Sequence, residues 1–382
     1  MIINTKVMPH RLSAASKYIF NERPMLIYIE LTRSCDLACK HCRAEAFLRH
    51  DPLELDRGEA FQLLSDIKGF GAPMPHIVLT GGDPLNHPYV FDILAMGKEM
   101  GIGMSLSPSA TKSLTPAIFQ KMKDLDVQTI SLSLDGASAD THDAFRGVPG
   151  CFDDTMRAAK LAHEAGISMQ INTLVSENTI NDLTLIYDLL KNIEGIVRWS
   201  VFFLISVGRG TALKELKPDR AELVMHWLAN IAKDAPFSVK TTEAPHFRRV
   251  VMERTKAIHA LVTHKQPLLM QKGYGIRDGN GILFISHQGD VYPSGFMPLK
   301  AGNIRETNIV DIYRDSKVFN LVRDPANLEG KCGDCEYRYI CGGSRARAFA
   351  ATGNPVASDP LCAYKPRRNN IHHIHIEEPV FV

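Results

Sequence analysis

Apolar and polar positions alternate between two periods along the first two hundred residues. Short apolar runs recur as MLIYIEL (25–31), HIVLT (76–80), GIGMSLS (101–107), VQTISLSLD (127–135), ISMQINTLV (167–175) and VRWSVFFLI (197–205). Runs of this length bounded by Pro, Gly or polar residues predict buried strands. Between them lie stretches of helical period: RGEAFQLLSDIKGFG, LTPAIFQKMKDLD, FDDTMRAAKLAHEAG and LTLIYDLLKNIEG. Several end in Gly, where a helix C-cap is expected. Six strand–helix units predict a parallel sheet with helices outside it. Six are too few for a closed eight-stranded barrel, which leaves a partial barrel or a flat doubly wound sheet. Motifs that can carry chemistry follow strand after strand, as at the rim of a barrel. The expected fold class is therefore α/β, a partial (β/α)6 TIM-type barrel.

The pattern changes near Pro218. A helix over 220–235 and a strand at FSVKTTEA lead to a hairpin, GILFISHQGDVYPSGF, turning at HQGD. From Gly330 the chain is loop-rich. The expected divisions are a lead-in (1–24), the partial barrel (25–217), a linker and helical segment (218–281), a smaller C-terminal domain (282–366) and a tail (367–382).

Composition narrows the class. Over 382 residues the chain is 45% hydrophobic and 23% charged, with 44 basic against 42 acidic residues. That is globular, and the near-neutral balance calls for neither nucleic acid nor a membrane surface. No run is long and apolar enough for a transmembrane helix, and the N-terminus lacks a signal-peptide core, so a cytoplasmic location is expected. Without an export signal, clustered cysteines are metal ligands before they are disulfides. Seven of the eight cysteines fall in two groups, and Cys151 stands alone as an expected free, buried thiol.

The first group is Cys35-Asp-Leu-Ala-Cys39-Lys-His-Cys42, directly after the first strand. Three thiolates so close can wrap one compact soft metal centre. A four-iron cluster held by three cysteines keeps one iron free of protein ligands. A zinc knuckle completed by His41 or a distant residue is the alternative. This CxxxCxxC in a βα repeat resembles the radical S-adenosylmethionine (radical SAM) superfamily. The resemblance implies a [4Fe–4S] cluster whose open iron chelates SAM, and reductive cleavage of SAM to a 5′-deoxyadenosyl radical that takes hydrogen from a substrate. It also implies an electron donor such as flavodoxin or ferredoxin.

Companion motifs follow in order. Gly81-Gly82-Asp83 after the second strand resembles the family's Gly-Gly-Glu element at the SAM amino group, with Asp in place of Glu. Ser105, Ser107 and Ser109 offer hydroxyls after the third strand. Ser131, Ser133 and Asp135 share one face of the fourth by strand alternation, placed for ribose hydroxyls or substrate. Asn172 and Thr173 fit a cofactor-facing role on the fifth, and Arg209 in Gly-Arg-Gly after the sixth is placed to grip a carboxylate. Each alone also reads as a turn, a solvated strand face or a flexible loop; their succession at strand ends is the signal.

The second group, Cys332, Cys335, Cys341 and Cys362, completes a four-ligand site for zinc or a cluster. It resembles the SPASM/twitch extensions of radical SAM enzymes. A full SPASM extension holds two clusters, but Ser294 and Arg345 stand here where further cysteines are expected, so the resemblance implies one auxiliary [4Fe–4S] cluster with four cysteine ligands.

The segments around Cys341–Cys362 and GDVYPSGFMPLKAGNIRE resemble the alternative heme biosynthesis subgroup, which includes an iron-coproporphyrin decarboxylase. That implies decarboxylation of propionates on a tetrapyrrole, with Arg209, Arg248, Arg249, Arg305, Arg345 and Arg347 as candidate carboxylate grips and His246 as a candidate axial iron ligand. The runner-up is a maturase of ribosomally made peptides. Such proteins commonly carry an added peptide-binding domain, for which the short lead-in leaves no room. A non-enzymatic zinc or iron–sulfur module is the reading from another class.

Overall fold

The computed structural model describes residues 20–261 and 275–366; most of the lead-in and the tail at 367–382 lie outside them. Within the described residues, one sheet holds β1 (Leu26–Glu30), β2 (His76–Thr80), β3 (Met104–Leu106), β4 (Thr129–Ser133), β5 (Ser168–Val175), β6 (Ile196–Phe203), β7 (Ser238–Thr242), β8 (Ile282–Ile285), β9 (Asp290–Tyr292) and β10 (Gly302–Asn303). Their order is β10-β9-β8-β1-β2-β3-β4-β5-β6-β7. Strands β1 to β7 are parallel neighbours in chain order. The two outer strands, β7 and β10, do not meet, so the barrel is partial as expected.

Helices cover the outside: α1 (Arg57–Ile67), α2 (Val90–Glu99), α3 (Pro116–Asp124), α4 (Ala139–Arg146), α5 (Cys151–Glu164), α6 (Leu183–Leu190), α7 (Pro218–Ile231) and α8 (His246–Leu261). Their ends follow local chemistry. Asp56 and Glu59 close a capping box on α1, and Thr115 with Pro116 starts α3. Outward strand residues such as Ile27, Ile29, Ile77, Leu79, Ile130, Leu132, Ile171, Trp199 and Val201 are buried beneath these helices.

Two boundaries differ from expectation. Within 218–242, at the start of the expected linker and helical segment, α7 and β7 continue the barrel by one more unit. The hairpin is not separate either: β8 pairs in parallel with β1, and β9 folds back on β8 around Gly289 at φ +81°. Edge pairing is decided between distant segments, so local pattern could not disclose it. The C-terminal part adds α9 (Ile309–Asp315), α10 (Lys317–Arg323), α11 (Gly330–Gly333) and α12 (Arg345–Thr352). Among the described residues no helix is long and apolar enough to cross a membrane.

His287, in the hairpin turn, ties the C-terminal part to the barrel. Its Nδ1 lies 2.7 Å from Glu30 and its Nε2 lies 3.1 Å from Asp51. Glu30 also pairs with Arg43 at 2.9 Å. Burial pushes His287 down, but the two carboxylates outweigh it and hold the imidazole above its ordinary value. For Glu30, Arg43 and His287 outweigh burial and hold it below its own. The His287 contribution is thus complete below its unfolded value near 6.5 and is lost as pH rises through the folded one. The Glu30 contribution disappears as pH falls through its folded value. His287→Gln is expected to destabilise the protein by about 1–3 kcal/mol near pH 6, with the difference shrinking toward pH 9. Denaturant unfolding across that range measures it, and a pH-independent difference would mean that the imidazole is neutral.

Candidate active site

The loop after β1 brings Cys35, Cys39 and Cys42 onto the wall of one cavity of about 1110 Å³ inside the barrel. A pocket for one small ligand usually measures about 300–1,000 Å³, and this one lies just above that range. Each sulfur already faces donors. The Leu37 N–H points at Cys35 Sγ at 3.4 Å, and Ser109 Oγ lies 3.2 Å from the same atom. Arg146 Nη1 donates to Cys39 Sγ at 3.4 Å, and the Ala46 N–H to Cys42 Sγ at 3.4 Å. Burial outweighs the Ser109 and Leu37 donors, and the Cys35 thiol is pushed up to about 11, so the donors do not by themselves create a thiolate. A cationic metal centre would supply the missing charge, and this donor set fits one. His41, within the loop between Cys39 and Cys42, stacks on Phe145 at 4.8 Å; burial pushes it down to about 4, and its Nδ1 has no partner.

Two other loops press on the cysteine loop. A Cβ on Gly81 would lie 2.5 Å from the Thr32 carbonyl oxygen, and one on Gly82 would lie 2.4 Å from that of Ser34. The N–H groups of Gly82 and Asp83 donate to those carbonyls at 2.7 Å each. These glycines therefore line the cavity and also permit loop-on-loop contact. From the other side, Gly208 at φ +52° would bring a Cβ within 2.6 Å of the Cys42 carbonyl oxygen. Arg209 Nε donates to the Cys39 carbonyl at 2.9 Å and Nη1 to that of Ala46 at 3.1 Å. Arg209 is thus first a clamp on the cysteine loop. Its buried Nη2 has no partner and is the part left for a ligand.

The remaining candidates divide. Ser105, Ser107, Ser109, Ser131, Ser133, Asp135 and Asn172 line the cavity. Ser105 is engaged by His76 Nε2 at 2.7 Å. Asp135 differs from the ribose-binding expectation. Arg146 pairs with it, and the Leu174 N–H donates to it at 2.6 Å. Arg146 overcomes the effect of burial and keeps the carboxylate charged. Asp83 is fully buried and stands behind the wall rather than on it. Its Oδ1 caps a turn through the Leu85 N–H at 3.0 Å, its Oδ2 has no partner, and burial raises it to about 6. Thr173 faces away from the cavity: strand alternation turns it outward, where its hydroxyl donates to the Leu134 carbonyl at 2.7 Å. Cys151 begins α5 as a buried thiol 3.3 Å from Asp143, packed against Cys35 and Cys39; burial and that carboxylate push it up to about 12.

Cys332, Cys335, Cys341 and Cys362 line a second, small cavity of about 20 Å³. Backbone N–H groups of Asp359, Tyr337 and Gly343 point at the sulfurs of Cys332, Cys335 and Cys341, each at 3.4 Å. No three His, Cys, Asp or Glu side chains among the described residues close on a single-ion site. A four-iron cube holds its ligands further apart than one ion does.

Most of the expected carboxylate grips serve other contacts, a correction to the sequence reading. His246 lines the second cavity and not the large one, 3.2 Å from Asp359. Burial works against its protonation, but Asp359 outweighs it and raises His246 to about 10. Arg345 is fully buried; it donates to the Pro355 and Ala357 carbonyls and toward Cys332 Sγ at 3.6 Å. Arg347 is consumed by Glu215 at 2.9 Å and by three backbone carbonyls. Arg249 pairs with Glu222 and Glu253, and Arg305 pairs with Glu59 at 2.9 Å; neither lines the cavity. Arg248 does line it, with Nη1 donating to the Ile340 carbonyl at 3.1 Å. Buried guanidiniums attract whatever acceptors the fold brings near, which residue type alone cannot foretell.

Sequence reasoning missed Arg146, Arg198, Arg277 and Glu243, all on the cavity wall. Arg198 had a signal, since alternation along VRWSVFF places it with Ser200 and Phe202 on one face. Glu243 follows β7 at φ +58°, a left-handed backbone uncommon for Glu. Burial and its neighbour Asp278 raise it well above the usual carboxylate range. No local pattern marks it.

Comparison with known proteins accords with this arrangement. The radical SAM superfamily model matches residues 29–190, and the SPASM model, an iron–sulfur cluster-binding domain, matches residues 277–336. The chain is 40% identical to an AdoMet-dependent heme synthase of Nitratidesulfovibrio vulgaris, over 90% of this chain and 93% of that one. It is 38% identical to another of Methanosarcina barkeri, over 90% and 97%. In fold it resembles Streptococcus suis SuiB bound to S-adenosylmethionine, with a TM-score of 0.69 at 19% identity over 90% of this chain and 78% of that one. Three cysteines at the mouth of a partial barrel, with a cysteine-rich extension behind it, make this chain a radical SAM enzyme of the SPASM-bearing group to which the AdoMet-dependent heme synthases belong.

Proposed function

We propose that this enzyme removes carboxyl groups from propionate side chains of an iron-bearing tetrapyrrole. In this reading Cys35, Cys39 and Cys42 hold a [4Fe–4S] cluster with one iron left for SAM, and Cys332, Cys335, Cys341 and Cys362 hold a second cluster with no open position. Bound there, the clusters would supply single-electron chemistry, and SAM the 5′-deoxyadenosyl group that takes a hydrogen atom from a propionate β-carbon. The substrate's C–C bond to its carboxyl group then breaks, CO2 leaves, a vinyl group forms and one electron departs. A flavodoxin or ferredoxin is the proposed electron source.

The observation that carries the reading is the shared cavity. One wall presents the three cysteines, and others present Arg198, Arg209 and Arg277, none of which has a carboxylate within ion-pair distance among the described residues. Asp135 is neutralised by Arg146, and burial beside Asp278 raises Glu243 well above the usual carboxylate range, which disfavours its charged form. Guanidiniums outnumber carboxylates on the cavity wall, Asp278 included, which suits a polycarboxylate. The heme-synthase relatives, matched over nearly their full length, support the same substrate class. Likeness to peptide-modifying enzymes is more distant in sequence, at about 25% identity, and a peptide remains the second substrate to try.

Anaerobic reconstitution is expected to load about eight irons per chain, four for each cluster. Dithionite and SAM should then yield 5′-deoxyadenosine, and iron-coproporphyrin III should lose CO2. Cys35→Ala is expected to retain about half of that iron and lose SAM cleavage, whereas Cys335→Ala retains about half with SAM cleavage intact. Zinc as the tightly held metal, or no 5′-deoxyadenosine from the loaded protein, overturns the reading. Gly208→Ala forces a Cβ against the Cys42 carbonyl in a left-handed position, so it should lower iron uptake at the first site while leaving the iron of the second; iron analysis with cluster spectroscopy measures this.

A further inference from the structure

At the cavity's deeper level polar inward side chains occur on six strands, Tyr28 on β1, His76 on β2, Ser105 on β3, Gln170 on β5, Arg198 on β6 and Lys240 on β7, beside the apolar Leu26 and Val78. A barrel normally fills this level with branched apolar side chains. Arg198 is the informative member. Its Nη1 donates to Gln170 Oε1 at 3.1 Å, while its buried Nε has no partner. Among the described residues the Tyr28 phenol, held above its ordinary value by burial and so neutral, is the titratable group that acts on it, and no carboxylate does. A cation largely withdrawn from water and left without a counter-charge is costly. A ligand carboxylate removes that cost, and a guanidinium fork fits one with two hydrogen bonds.

Depth matters as much as charge. Arg198 lies near the start of β6, and Arg209 with the cysteine loop lies beyond its end. From Arg198 to Phe203 the strand climbs about 17 Å at ~3.3 Å per residue. A ligand reaching both levels must carry anionic groups on opposite edges. Iron-coproporphyrin III meets that requirement: it has four propionates, and the two that heme retains lie together on one edge.

We propose that Arg198 is the positioning residue for the propionates that the reaction leaves intact, orienting the macrocycle so that its other edge faces the cysteine end. This rests on the tetrapyrrole reading and adds to it which edge enters first.

The test is a Soret-monitored titration of the anaerobically reconstituted holoenzyme. The probes are iron-coproporphyrin III, heme and the tetramethyl ester of iron-coproporphyrin III. Arg198→Gln is expected to weaken iron-coproporphyrin III and heme alike, by roughly tenfold to a hundredfold, and to leave the ester unchanged. Arg198→Lys, which keeps the charge without the fork, should recover part of the loss; should the Gln variant not fold, a reduced preference of the Lys variant for acid over ester carries the test. Equal affinity of wild type and variant for the acid overturns the proposal. So does an equal loss for acid and ester, which would mark a packing role, and so does a loss for iron-coproporphyrin III without one for heme, which would place Arg198 at the reacting propionates. Failure of the wild type itself to shift the Soret band with iron-coproporphyrin III is a different result, because it removes the tetrapyrrole reading and the Arg198 assignment together.

Discussion

The site depends on how closely three loops approach one another. The cysteine loop after β1 has little regular structure of its own and is held by backbone contacts from the loops after β2 and β6. Gly81 and Gly82 lie against Thr32 and Ser34 on one side, and Gly208 lies against Arg43 and Cys42 on the other. In each place a side chain would occupy the position of a carbonyl oxygen. Arg209 completes the clamp by donating to carbonyls within the loop. Three sulfurs are therefore aimed into one cavity by backbone packing, which is stiffer than a set of flexible side-chain contacts.

A second constraint concerns charge. The cavity is lined by guanidiniums, and its carboxylates are engaged within the protein: Asp135 pairs with Arg146, Asp278 accepts from the Arg345 and Ala346 N–H groups, and burial beside Asp278 raises Glu243 above the usual carboxylate range. Around the second cysteine group the balance is kept by His246, Asp359, Arg345 and Arg347, which form a buried network next to the sulfurs. The two cysteine sites are thus built differently. The first opens onto a cavity with unsatisfied donors, and the second is enclosed by a buried set of ion pairs in which His246 and Arg347 share Asp359. An open site suits ligand exchange, and an enclosed one suits structure or electron passage.

Much of this was legible from the residues. The six strands appear within a few positions of the apolar runs that announce them, because a strand buried on one side under helices needs apolar residues at every second position. The CxxxCxxC, Gly-Gly-Asp and Gly-Arg-Gly elements were legible because each sits on a single loop, and ligand spacing along one loop is a local property. The extra unit of α7 and β7 was not, since joining β6 is a choice between distant segments. The arginines misled for a related reason. Arg345 and Arg347 lie between cysteines in the chain, yet their guanidiniums end in carbonyls and carboxylates supplied by segments as far away as Phe203 and Glu215.

Sequence by itself determined the βα repeat, the two sets of cysteines and the order of the loops that meet at them, because periodicity and spacing are written in neighbouring residues. Tertiary structure alone decided which cations stay without a counter-charge, since a guanidinium's partner is whatever the folded chain brings within about 3 Å of it. It also decided that the barrel's interior is polar and hollow, because a cavity is the space left between strands, and no one segment encodes it.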